Sequence, residues 1–160
     1  MKNLDRSIDR SIDRSVYPLT LYYEAACALC NGEMTNLMLR NTDGLLKFVD
    51  VSAPDFKELP PGTKLEDLME LIHAQQADGT VIRGVEVFRL AYEAVGLGWV
   101  SGLLKVPPLK RLAERGYPVL ARNRHRIPRW LSHAVFETAI RRAAERAASR
   151  RCEPGKACEL

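Results

Sequence analysis

Residues 19–30 read Leu19-Thr20-Leu21-Tyr22-Tyr23-Glu24-Ala25-Ala26-Cys27-Ala28-Leu29-Cys30. The first five are a β-prone run, with Pro18 at its start, where proline is tolerated. Two cysteines three apart follow at once, and behind them the period changes. Leu29, Glu33, Asn36, Leu37 and Arg40 space as a helix does, so residues 28–40 are expected to be helical. Asn41-Thr42-Asp43-Gly44 is turn chemistry, and residues 45–51 read as a second strand. A strand, a helix of this length and a strand form a βαβ unit with parallel strands and a right-handed crossover. The Cys-x-x-Cys pair therefore sits at the junction of the first strand and the first helix.

Working outward, residues 52–64 are rich in proline and read as loop. Residues 68–75 and 80–83 flank Asp78-Gly79, a hairpin signal, and are expected to be two antiparallel strands. Residues 65–72 alone would also pass for a helical turn. Val87, Phe88, Ala91, Tyr92 and Val95 trace one face of a helix over residues 85–95, which Gly84 opens and Gly96 ends. The order β-α-β-β-β-α is that of thioredoxin, over a core of about residues 17–97. Beyond it, Pro107-Pro108 precedes a helix over 109–115 with Gly116 as its stop. Pro118 starts another over 119–125, bounded by Pro128, and Ser132 is the expected N-cap of a last helix to about Arg150. The expected division is a flexible tail over 1–16, containing the Asp-Arg-Ser-Ile repeat, a domain over 17–131, and a terminal helix with an irregular tail over 132–160.

The 160 residues suffice for one domain with a real core, and 46% hydrophobic with 28% charged residues marks a soluble globular class. No apolar stretch approaches the ~20 residues of a membrane span, and residues 1–16 lack the apolar segment of a secretory signal. The expected location is the cytoplasm. Four cysteines are few for a disulfide-stapled fold, so catalysis or metal binding is the better use for them. Charge is asymmetric: residues 105–151 hold 13 Lys/Arg and 3 Asp/Glu, whereas residues 1–104 hold 10 and 15. Such a basic block could attract nucleic acid, an anionic membrane surface or an acidic partner. It carries no zinc-finger, helix-turn-helix or aromatic RNA-binding signature, so nucleic acid is not the expected partner, and a solvated helical face is the plainer reading.

The chemistry of the pair follows from helix geometry. Residues three apart in a first turn have Cα atoms about 5–5.5 Å apart, within disulfide range. The first thiol meets the unpaired N–H groups and the positive end of the helix dipole, which favour its thiolate. Cys27 is the expected nucleophile, exposed by the first turn, and Cys30 the thiol that resolves the mixed disulfide. Glu24 is a candidate to relay a proton to or from Cys30, or else a solvated loop carboxylate. Two rival readings stand beside this one: a buried pair of small hydrophobes, and zinc held by Cys27, Cys30, Cys152 and Cys158. His73, His125 and His133 read as ordinary surface or packing residues. Ala28 and Leu29 bring no positive charge to Cys27, and Glu24 opposes its thiolate, so the couple is expected to lean reducing. Cys152 and Cys158 flank Pro154-Gly155 and could form an accessory dithiol.

The stretch 21–30 resembles the DCC family of thiol–disulfide oxidoreductases, whose signature after its first strand is Asp-Gly-x-Cys-x-x-Cys. Asp78-Gly79 and Gly84 continue the resemblance, and Tyr117, Ala121, Asn123 and Arg124 look like that family's C-terminal signature. It covers roughly residues 17–131. The cysteines carry over directly; the family's Asp falls at Glu24 and its Gly at Ala25. The resemblance implies a thioredoxin-like central sheet with flanking helices and a helical C-terminal extension. It also implies dithiol–disulfide exchange at Cys27 and Cys30 with a protein or small thiol and no cofactor. The competing class is a non-enzymatic interaction module with structural or zinc-bound cysteines and a basic docking face. Thioredoxin folds place a cis-proline before the third strand; Pro60 and Pro61 lie a few residues early for it.

Overall fold

The computed structural model describes residues 13–151. A four-stranded sheet runs in the order β2-β1-β3-β4. Its strands are β1 (Leu19–Tyr23), β2 (Leu46–Asp50), β3 (His73–Gln75) and β4 (Val81–Arg83). β1 pairs parallel with β2, Leu21 opposite Phe48, and antiparallel with β3, Leu21 opposite Ala74. The helices are α1 (Ala28–Arg40), α2 (Leu65–Glu70), α3 (Val85–Ala94), α4 (Gly98–Lys105), α5 (Pro107–Asn123) and α6 (Arg129–Arg151). This is a thioredoxin-like mixed α/β fold with a helical C-terminal extension.

β1 is central and buried on both faces. Leu19 and Leu21 point into the main core with Met34 and Leu37 of α1 and Val87, Leu90 and Ala91 of α3. Tyr22 points the other way, into a smaller cluster with Val51 and Leu68. That alternation is the period of a strand covered by helices on both sides. Asn41 ties the end of α1 to the start of β2: its amide donates to the Leu46 carbonyl and its Oδ1 accepts from the Leu46 N–H. Gly79 takes a φ of 89° in the β3–β4 turn, and Asp78 Oδ1 accepts from Thr80 N–H at 2.8 Å.

Four local expectations are corrected. Residues 68–70 are helical, not strand, because Asp67 reaches back to the Lys64 N–H at 2.9 Å and caps a short helix, leaving only His73–Gln75 to pair. Gly116 does not stop a helix and Pro118 does not start one: α5 runs through both. Proline removes one helical hydrogen bond, but Tyr117 beside it is held from outside the helix. Its hydroxyl accepts from Ile72 N–H at 3.0 Å, and its ring packs edge-on against Phe88. Ser132 is not the cap of the last helix, which begins at Arg129 with the N–H groups of Leu131 and Ser132 bonded to the Pro128 carbonyl. At the start of the chain, Arg14–Val16 form a 3-10 turn and Val16 packs on the core, so the ordered fold begins before residue 17. The rest of the 1–16 tail, and Cys152 and Cys158, lie outside the described residues. The cis peptide bond among those described is Tyr17–Pro18; neither Pro60 nor Pro61 is cis.

α6 packs along α1. Gly32 faces Phe136, whose ring would stand 2.9 Å from a β-carbon placed there. Among the described residues no helix is long and apolar enough to cross a membrane.

Candidate active site

Cys27 is the N-cap of α1, with φ −82° and ψ 115°, and its sulfur accepts from the Cys30 N–H at 3.3 Å. That is the work a Ser or Asp side chain does at a helix start. The Cys30 thiol donates to the Cys27 sulfur at 2.7 Å. The loop before them is tied to the end of β2: Ala25 N–H donates to Asp50 Oδ1 at 3.0 Å and Ala26 N–H to Ser52 Oγ at 3.4 Å. Asp50 in turn accepts from the Ser52 N–H and hydroxyl. No described residue other than glycine has a positive φ, so Ala25 serves in this loop without glycine's freedom.

Glu24 is not a solvated loop carboxylate. It is buried and accepts from Arg124 Nη2 at 2.7 Å, with both side chains only 7% exposed. The same Glu24 oxygen lies 3.2 Å from His125 Nε2. Arg124 also donates to the Met69 carbonyl, while its Nε is buried without a partner. The arginine and the histidine come from a 3-10 turn, Arg124–Arg126, a hundred residues along the chain from Glu24. In sequence the basic block reads as a solvated face and His125 as an ordinary residue. Arg124 is marked there only by its place in the C-terminal signature of the resembled family. His73 is a buried packing residue of β3 whose Nδ1 donates to the Leu71 carbonyl, and exposed His133 lines a groove beside Ala28.

These neighbours split the two thiols. Cys27 is pulled down to about 6: the hydrogen bond from Cys30 does most, burial opposes it, and the Cys30 N–H and the charges of Arg124 and His125 add to it. Cys30 is driven far up by the same hydrogen bond, by burial and by the charge on Cys27. Positive charge thus reaches Cys27 through the tertiary fold although Ala28 and Leu29 bring none. One expectation is corrected here: Cys27 is 2% exposed, not laid open by its position in the first turn, and Cys30 is the more accessible of the two.

Beside Cys30 lies a cavity of about 520 Å³ with almost wholly apolar walls from α1, α3, α5 and α6. Glu24, Arg124 and Tyr117 share its wall. So do Tyr92 and Glu33, joined by a short hydrogen bond from the tyrosine hydroxyl; burial raises the Glu33 carboxyl. Among the described residues no cluster of three metal-ligating side chains forms, and Cys27 and Cys30 are free thiols.

A family profile described as DCC1-like thiol-disulfide oxidoreductase matches residues 21–130. An uncharacterized chloroplastic protein of Arabidopsis thaliana is 43% identical over 110 residues, which are 68% of this chain and 51% of the plant protein. The chain therefore spans about half the length of that curated relative. No solved structure matches the chain.

Proposed function

This chain belongs to the DCC1-like thiol-disulfide oxidoreductase family, and we propose that Cys27 and Cys30 exchange a dithiol for a disulfide with a protein or a small thiol. The observation that carries this is the split of the two thiols, one an N-cap sulfur held as thiolate near neutral pH and the other its hydrogen-bond donor. The Cys27 thiolate attacks a substrate disulfide, forms a mixed disulfide and releases one substrate thiolate. Cys30 then gives up its proton and attacks the Cys27 sulfur. This closes the Cys27–Cys30 disulfide and releases the second thiolate, so the substrate gains the two electrons the pair loses.

Glu24 has two tasks in this reading. Its ion pair positions Arg124 near Cys27, and with the largely exposed His125 it offers a route to solvent for the proton leaving Cys30, whose cavity it shares. No cofactor takes part. The unit that carries the reaction is the domain ending at about residue 131, and α6 (Arg129–Arg151) packs against its α1. We assign it to the cytoplasm, where a thiol pool keeps such a pair cycling. The test is to incubate a Cys30→Ser variant with a protein disulfide. A mixed disulfide mapped to Cys27 is the expected product. A mixed disulfide at any other cysteine of that variant, or none at all, overturns the assignment of Cys27 as nucleophile.

A further inference from the structure

The two tryptophans of this chain, Trp99 and Trp130, are 68% and 69% exposed. They do not stand alone. Trp99 and Leu103 recur at i, i+4 on the outer face of α4, with exposed Val106 just past its end, while Ser101 on its inner face is buried and donates to Glu93. On α5, Leu109, Leu112 and Val119 recur at i, i+3, i+10 along one exposed stripe, with Gly116 between. Trp130 and Val135 add exposed apolar surface at the start of α6. α4 packs on α5, and Leu104, Leu120 and Val135 bring all three helices to the wall of the cavity beside Cys30. Scattered exposed apolar residues are ordinary, but a concentration of this kind in one part of a monomer marks an interaction surface.

The charge around it selects the partner. Residues 105–130 contain eight Lys/Arg and one Glu. Lys105, Lys110, Arg111, Arg115, Arg126 and Arg129 are exposed among the apolar side chains. The core of a protein–protein interface is depleted in charge, and lysine is disfavoured there. Tryptophan and leucine interleaved with lysine and arginine is instead the pattern of helices that lie in a lipid headgroup layer. Apolar side chains enter the acyl boundary, indole rings stay at headgroup depth, and long cationic side chains reach the phosphates. Each cation near an anionic surface strengthens binding.

We propose that the α4–α5 face and the start of α6 dock peripherally on an anionic phospholipid membrane. This does not depend on the redox reading: the exposed side chains that would enter the membrane include neither cysteine, although their helices also wall the cavity beside Cys30.

Both tryptophans lie in the proposed contact, so intrinsic fluorescence reads it directly. The full chain is titrated with vesicles of mixed phosphatidylglycerol and phosphatidylcholine, and with pure phosphatidylcholine vesicles, and co-sedimentation is measured alongside. The expected result is a blue-shifted emission and sedimentation with the anionic vesicles, roughly tenfold stronger than with neutral ones and weakened by salt. The double variants Leu112→Glu/Val119→Glu and Arg111→Glu/Arg115→Glu change only exposed side chains, and each should lose roughly tenfold in vesicle binding. A Cys27→Ser/Cys30→Ser variant should bind as the parent does. No shift or sedimentation with anionic vesicles overturns the proposal, as does equal binding to neutral vesicles or unchanged binding by both surface variants. A blue shift on concentration alone, with a dimer by light scattering, would assign the face to a second copy. An equal shift with polyglutamate would assign it to an acidic protein. Either result overturns membrane docking.

Discussion

The loop from Glu24 to Cys30 and the segment from Tyr117 to His125 meet at one site, yet they are built in different ways. The first is local. A strand ends, a helix begins, and Cys27 fills the cap position with its sulfur on the Cys30 N–H. Its geometry is set within a dozen residues. The second is assembled at long range. Tyr117 is anchored on Ile72, Arg124 on Glu24 and Met69, and His125 on Glu24. The loop contributes the two sulfurs, and the distant segment contributes positive charge. Cys27 therefore owes most of its acidity to its own helical turn, where the largest contribution comes from Cys30, and a further part to residues nearly a hundred positions away.

Loss of the Cys27 sulfur should have the greatest consequence. Cys27→Ser should reduce disulfide exchange to background in an insulin-reduction or equivalent assay, because no other described residue supplies a thiolate in that cap. Next is the buried ion pair. Arg124→Leu leaves the buried Glu24 carboxylate with only the His125 contact and should cost about 3–5 kcal/mol in chemical denaturation. A Glu24→Leu/Arg124→Leu double variant should recover much of that loss, since an apolar pair of similar volume often replaces a buried ion pair without net cost. In that double variant the Cys27 pKa should still rise and the couple become more reducing, by about 30 mV per pKa unit. Recovery of stability together with an unshifted Cys27 would separate the two segments energetically and contradict the charge link.

Outside the site, α6 packs on α1 with Phe136 against Gly32. Gly32→Leu drives a side chain into the Phe136 ring and should cost about 1–3 kcal/mol. It should also expose α6 to proteolysis while leaving the Cys27 pKa nearly unchanged.

Titration gives a smaller, signed effect. The folded-state pKa of Cys27 lies below its ordinary value of 9.0, at about 6. Between these values the unfolded chain binds the extra proton, so Cys27 makes the reduced protein more stable as pH rises from about 6 to 9, and that contribution is lost as pH falls through about 6. Denaturation of the reduced protein should show this slope, and Cys27→Ser should remove it. Alkylation of Cys27 should fall off below about pH 6. The smallest effect belongs to His125. It is more than half exposed and is the last-ranked cause of the Cys27 shift. His125→Ala should move the alkylation midpoint upward by less than Arg124→Leu does; an equal or larger movement would reverse their ranking.

Reading residues in order determined a great deal. The β1–α1–β2 unit, the Asp78-Gly79 turn, the α3 face and the position of the cysteine pair were legible because each rests on local periodicity or turn chemistry. The helical character of Leu65–Glu70 was harder to see, since six residues hold too little period to outweigh the adjoining β-prone run, and one cap from Asp67 decides it. The continuity of α5 through Gly116 and Pro118 was not legible at all. Local breakers argued against it, and contacts from Ile72 and Phe88 overrode them. The same holds for the site. Cys27 and Cys30 were found by their spacing, and Glu24 by its place before them. That Glu24 is buried against Arg124, that Cys27 is enclosed rather than exposed, and that cations offset the poverty of charge in Ala28 and Leu29 were decided by tertiary structure alone. Spacing along the chain specifies hydrogen bonds inside one helical turn. It carries no information on which distant charge comes to lie against a buried carboxylate, because that depends on where the helices pack.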